Sequence, residues 1–220
     1  MPAPIGFTRY GDGPIPVIVL HDWFCDHSSW DAALPYLTPS RFTYIFADLR
    51  GYGASQNMEG AFTLEEAASD VVAFADHLGW SRFSLIGHSM SGLVVQRLAQ
   101  LVPDRIARIV AITPIPPGGM KADEATLSSL RSLALADDDG RFAVMVTFWG
   151  TRLSETWIKF KLGLWRKTAS PAAALEASML PYYPNAQLFS FAESGHYPMQ
   201  EQPPMLATVV ERFLGELAGT

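Results

Sequence analysis

The chain has 220 residues, 49% of them hydrophobic and 17% charged, which allows one sizeable core and leaves little room for a second domain. Twenty-two acidic residues against 16 basic ones give a formal charge of -6. With no dense stretch of Lys or Arg to neutralise a phosphate backbone, nucleic acid is excluded as a partner. The single cysteine, Cys25, excludes an internal disulfide, and without a second Cys or a closely spaced His pair no metal site is expected.

Residues 1–7 lack the basic start and apolar core of a signal peptide, and no apolar run approaches the ~20 residues that span a bilayer. A soluble, cytoplasmic protein with no membrane partner is expected. Pro16–Leu20 and Phe42–Ala47 are short apolar runs that read as buried central strands. A helix is predicted from Thr63, where Glu66 three residues on completes a capping box and Val71, Val72, Phe74, Ala75 and Leu78 supply apolar positions. Strands follow at Phe83–Ile86 and Ile106–Ile112, separated by a helix that Pro103 ends. From about 114 to 184 strand-like runs are few, and aromatic pieces such as Phe148-Trp149-Gly150 suggest a helical cap inserted over one end of the sheet. Met120, Met145, Trp149 and Trp157 could line an apolar pocket there, although simple packing within the insertion is the more frequent fate of such residues. Gln187–Phe191 is predicted as a fifth strand, and Pro204–Leu217 as a terminal helix packed on the sheet. Strands alternating with helices point to an α/β fold with a mostly parallel, doubly wound sheet, in one domain over 1–220.

The chemistry is concentrated at Gly87-His88-Ser89-Met90-Ser91-Gly92. This segment joins the strand Phe83–Ile86 to the helix bearing Leu93, Val94, Val95 and Leu98, the context that a nucleophile elbow requires. A serine at such a turn is exposed, and the helix N-terminus aims free N–H groups at developing negative charge. A chance glycine-serine turn is the alternative, and the strand and helix around it argue against that. The usual pattern is Gly-x-Ser-x-Gly; here Ser91 takes the last position and Gly92 follows.

Two loops and a C-terminal segment extend the pattern. His21-Asp22-Trp23-Phe24 follows the first predicted strand, Asp48-Leu49-Arg50-Gly51-Tyr52-Gly53-Ala54-Ser55 the second, and Glu193-Ser194-Gly195-His196-Tyr197-Pro198 lies before the terminal helix. Together with the elbow, these resemble the oxyanion loop, glycine-rich loop and histidine loop of the α/β-hydrolase family, particularly its small bacterial esterases and cofactor-free haloperoxidases. The resemblance covers residues 1 to about 115 and 185 to 220. It implies that Ser89 is the nucleophile and His196 the general base, with the oxyanion held by the backbone N–H groups of Trp23 and Met90. It further implies a small apolar acyl substrate, no metal and no organic cofactor. Either a perhydrolase or carbon–carbon bond hydrolase, or a ligand-binding protein with little turnover, would use the same scaffold. His21 and His88 match positions that orient loops, and His27 and His77 read as surface or helix-end residues. Asp48 and Arg50 read as structural, satisfying backbone groups in a tight loop. Asp22 stands where the family usually has glycine.

The catalytic acid is unassigned by this reading. Relatives place it on a strand end between the insertion and the last strand, but Glu176 is the only acid between Lys167 and Gln187. The alternative position, just after the strand preceding the insertion, reads Thr113-Pro114-Ile115-Pro116-Pro117, with Asp123 and Glu124 several residues on. A strand, acid loop and helix absent from the sequence before Gln187 are favoured over a Ser-His dyad or an acid borrowed from elsewhere. A gap or abnormal pairing is therefore expected beside Gln187–Phe191.

Overall fold

A computed structural model describes residues 5–115, 124, 128, 156 and 189–216. Apart from residues 114, 115, 124, 128 and 156, the expected cap lies outside the described residues, as do Asp123 and Glu176.

Five strands form one sheet: β1 (Phe7–Tyr10), β2 (Ile15–Leu20), β3 (Phe42–Ala47), β4 (Phe83–His88) and β5 (Ile106–Ile112). Their spatial order is β1-β3-β2-β4-β5, with β1 antiparallel to β3 and the other pairs parallel. β2, β3 and β4 carry nearly continuous apolar side chains because both sheet faces are covered. On one face lie α1 (Leu64–His77) and α2 (Met90–Leu101), whose Val71, Phe74, Leu93 and Leu98 join Ile18, Leu20, Ile45 and Leu85. On the other, α3 (Pro198–Glu201) and α4 (Pro203–Gly215) bring Met199, Leu206, Val210 and Leu214 against Val17, Val19, Tyr44 and Phe46. Among the described residues, no helix is long and apolar enough to cross a membrane.

The chain starts α1 as its sequence suggests. The Thr63 side chain accepts the Glu66 N–H, and the Glu66 carboxylate accepts the Phe62 N–H, one residue before the position that a capping box uses.

After β3 the chain crosses β2 to reach β4, so the order reverses there. The carboxyl ends of β2 and β4, at Leu20 paired with Gly87, flank the crevice where open α/β sheets bind their ligands. One strand is additional to the expected elements, and one expected strand is corrected. β1 was not anticipated: three of its four residues are exposed, and the run is too short and polar to read as a strand. The strand expected at 187–191 does not form at Phe189–Phe191, and Gln187 and Leu188 lie outside the described residues. Phe191 instead accepts the Ser194 amide in a turn, and β5 pairs within the described sheet with β4 alone. Five of the seven β5 residues are only half-buried, where β3 and β4 are buried along their whole length.

Candidate active site

The turn from β4 into α2 is strained at its centre. Ser89 has φ 52° and ψ -110°, outside the regions that L-residues ordinarily occupy. Backbone bonds on both sides hold it there: its N–H donates to Ile112 at the end of β5 (2.9 Å), and its carbonyl accepts from Gly92 (2.9 Å) and Ile115 (3.3 Å). Close packing fixes the neighbours. A Cβ on Gly92 would strike Pro114, and one on Gly87 would strike the Ser91 carbonyl, so the sharp turn tolerates no side chain at either place. Ser89 is half-exposed at the carboxyl edge of the sheet. Met90, the first residue of α2, has an amide with no partner inside the helix.

Ser91 does more than fit in place of glycine. It is fully buried, and its hydroxyl donates to the His21 carbonyl, tying the first turn of α2 to the loop that follows β2. In that loop His21 Nδ1–H donates to the Asp22 carbonyl (2.7 Å), and its Nε2 accepts the Leu49 amide (3.1 Å). Burial lowers the pKa of His21, more than offsetting nearby carboxylates, so the ring stays neutral as this bonding pattern requires. Trp23 is half-exposed against Phe24, their ring centroids 4.0 Å apart. The left-handed residue here is Phe24 (φ 56°) and not Asp22, so the aspartate in the usual glycine position carries no backbone strain of that kind.

The glycine-rich loop after β3 is fastened by Asp48, which is fully buried. Its carboxylate accepts the His27 amide (2.7 Å), His27 Nδ1–H (2.9 Å) and the Ala54 amide (2.9 Å). A Cβ on Gly53 (φ 47°) would strike it. Burial alone would raise the Asp48 pKa, but the His27 bond, the His21 ring and the two amides outweigh that and lower it. His27 is raised by the same bond to Asp48, against the effect of burial. His27 is thus half-buried and bonded, not a surface residue, whereas His77 is exposed at the end of α1 as expected. Arg50 forms a two-pronged bond to Asp70 (2.7 and 2.8 Å) and also reaches the Glu59 carbonyl.

His196 sits across from the elbow, half-buried. Its carbonyl accepts His88 Nε2–H (2.7 Å) and the Thr113 hydroxyl (3.2 Å), and its ring lies 4.9 Å from the His88 ring. Glu201 of α3 shapes the same loop from below by accepting the amides of Gly195 (2.8 Å) and Tyr197 (3.1 Å). The structure thus brings the predicted residues Ser89, Met90, Trp23 and His196 to one edge of the sheet.

Sequence reasoning missed the group beside them. Asp22, 2% exposed, accepts the Tyr197 hydroxyl, and its other oxygen lies 3.7 Å from His88 Nδ1. Burial and the Asp22 charge push the Tyr197 pKa well above the usual tyrosine value, so the hydroxyl remains a donor. Donor atoms of Asp22, His88 and His196 all lie within 4.8 Å of one another. Three such atoms could approach a cation, yet the Tyr197 hydroxyl and the His196 carbonyl already account for how Asp22 and His88 are held. The available signal was an acid where relatives carry glycine.

Residues 15–193 match the family model for the alpha/beta hydrolase fold. Among curated proteins, the chain is 32% identical over 106 residues to a serine hydrolase-like protein of Homo sapiens, covering 47% of this chain and 51% of that one. It is 34% identical over 113 residues to a pimeloyl-[acyl-carrier protein] methyl ester esterase of Salmonella heidelberg, covering 51% of this chain and 41% of the relative. The chain therefore spans about half or less of these relatives. Among solved structures, an esterase from Exiguobacterium antarcticum superposes with a TM-score of 0.83 at 15% identity, over 96% of each chain, a likeness of fold.

Proposed function

Because the chain belongs to the α/β-hydrolase fold family, we propose that it is a serine hydrolase that cleaves an ester or related small acyl substrate through an acyl-enzyme. The observation that carries this reading is the strained, half-exposed Ser89 at the β4–α2 turn, next in sequence to His88, whose ring lies against that of His196. Backbone strain at an exposed serine has no packing purpose, whereas it lifts the hydroxyl above the sheet for attack.

In this mechanism the Ser89 Oγ attacks the acyl carbon while His196 takes its proton. The Met90 and Trp23 amides hold the oxyanion that develops, with the α2 N-terminus adding favourable potential. The bond to the leaving alcohol then breaks, and His196 returns the proton to that oxygen. Water attacks the acyl-enzyme, His196 accepts its proton, and release of the acid restores Ser89. Trp23 and Met90 surround the acyl site with apolar surface, which favours a hydrocarbon acyl group. The reaction uses no metal or organic cofactor, and a cytoplasmic location fits it.

The test is hydrolysis of short-chain nitrophenyl esters. Ser89→Ala is expected to lose about 10⁴-fold or more in turnover while circular dichroism stays unchanged. A variant that keeps more than a few per cent of wild-type activity overturns the assignment. Burst release of nitrophenol from the wild-type chain separates an enzyme from a ligand-binding scaffold.

A further inference from the structure

The reading of His196 as general base leaves open what orients and charges its ring, and the buried cluster beside it offers an answer. We propose that Asp22 is the positioning carboxylate of His196, acting from the loop after β2 through its bond to Tyr197 and through its charge beside the ring. This inference rests on the hydrolase reading.

Three observations converge on it. Asp22 is enclosed, so its charge is little screened by solvent. It grips the histidine loop through the Tyr197 hydroxyl, one residue after His196, which donates to one oxygen, while the other oxygen lies 3.7 Å from Nδ1 of His88 at the end of β4, beyond hydrogen-bonding distance. His88 Nε2–H in turn donates to the His196 carbonyl at 2.7 Å, so a carbonyl that can only accept fixes the His88 tautomer. Finally, a carboxylate oxygen within 4.8 Å of a His196 ring nitrogen is close enough to stabilise the imidazolium that forms as Ser89 attacks.

Among the described residues, the other titratable groups near His196 are placed differently. His88 comes from β4, Tyr197 and the exposed Glu193 from its own loop, and Cys25 meets Tyr197 from the loop after β2. Glu201 comes from α3, but its two oxygens are taken by the Gly195 and Tyr197 amides. An acid here also accounts for the departure from glycine, since glycine could neither charge the site nor hold Tyr197.

The experiment separates this inference from the hydrolase reading. In a Ser89→Ala background the His196 ring is titrated by NMR, with and without Asp22→Asn. Removing the charge is expected to lower the His196 pKa by about 1 unit, because an opposite charge within 4–6 Å raises a histidine by about that much or more. With Ser89 present, Asp22→Asn is expected to lower kcat at least ~10-fold with KM within about two-fold, and to shift the acid limb of the pH profile down by the same amount. A merely structural aspartate would lower stability and leave the titration in place. A His196 titration that does not move in folded Asp22→Asn overturns the proposal, whatever the esterase activity. A shifted titration in a chain that cleaves no ester supports the coupling and removes the hydrolase reading. Should Asp22→Asn fail to fold, Asp22→Gly removes the same charge in a smaller side chain and is judged by the same titration.

Discussion

Replacing Asp48 with alanine should destabilise the protein more than any other single change in the glycine-rich loop. The carboxylate is fully buried and accepts the His27 amide, the His27 ring N–H and the Ala54 amide. Each buried donor left without an acceptor costs about 1–3 kcal/mol, and charged acceptors lie at the upper end. Water can reach part of the His27 side chain, which is 32% exposed, so the ring bond is counted at a discount. The loss is then about 3–5 kcal/mol, against a total stability of about 5–15 kcal/mol for a typical domain. In urea, with a slope of about 1–3 kcal/mol per molar, the midpoint should fall by at least ~1 M at unchanged slope. Asp48→Asn keeps one acceptor oxygen and should lose roughly half as much. A midpoint shift in the alanine variant worth less than about 1 kcal/mol, or an asparagine variant no better than alanine, would refute the view that these bonds hold the loop.

The same pair predicts a pH window. Asp48, lowered, contributes stability above its ordinary value of 3.8 that is lost as acid titrates it; His27, raised, contributes fully below 6.5 and loses that contribution as pH rises through its folded value. The His27→Ala stability deficit, measured by urea melts, should therefore be largest between about pH 4 and 6.5, and a deficit that grows toward pH 9 contradicts the assignment. Ser91→Ala leaves the buried His21 carbonyl without its hydroxyl donor and should cost about 1–2 kcal/mol. Because that bond holds the Trp23 turn against α2, kcat should fall ~10-fold with KM little changed; unaltered kinetics would detach Ser91 from the site. Acylation by the wild-type chain should rise with pH through the histidine range, near about 6.5, because only neutral imidazole accepts the serine proton. A flat profile with acylation rate-limiting would exclude His196 as the base.

What the sequence revealed follows from where the physical signal is local. β3 and β5 begin and end where their apolar runs do, and β2 and β4 differ from theirs by one or two residues; for β2, β3 and β4 the reason is that a doubly covered strand must be apolar along its length. Ser89 was readable because a strand, a small-residue turn and a helix occur consecutively, so the elbow is written in adjacent residues. β1 had no such signal: its pairing to β3 is non-local and its side chains are mostly exposed. The Asp48 hub was read as backbone satisfaction within its own loop, and it is that for Ala54, but its bonds to His27 come from a segment 21 residues earlier. Asp22 shows the limit most sharply. Along the chain it is a poor substitute for glycine, judged by backbone freedom that its position does not use, since the left-handed residue is Phe24. Its role depends on Tyr197, 175 residues away, and on the His196 ring beside it, which meet it only when β2 and the histidine loop share one sheet edge. A departure from a family pattern is thus ambiguous in sequence: lost backbone freedom and gained chemistry look alike until the distant partners are in place.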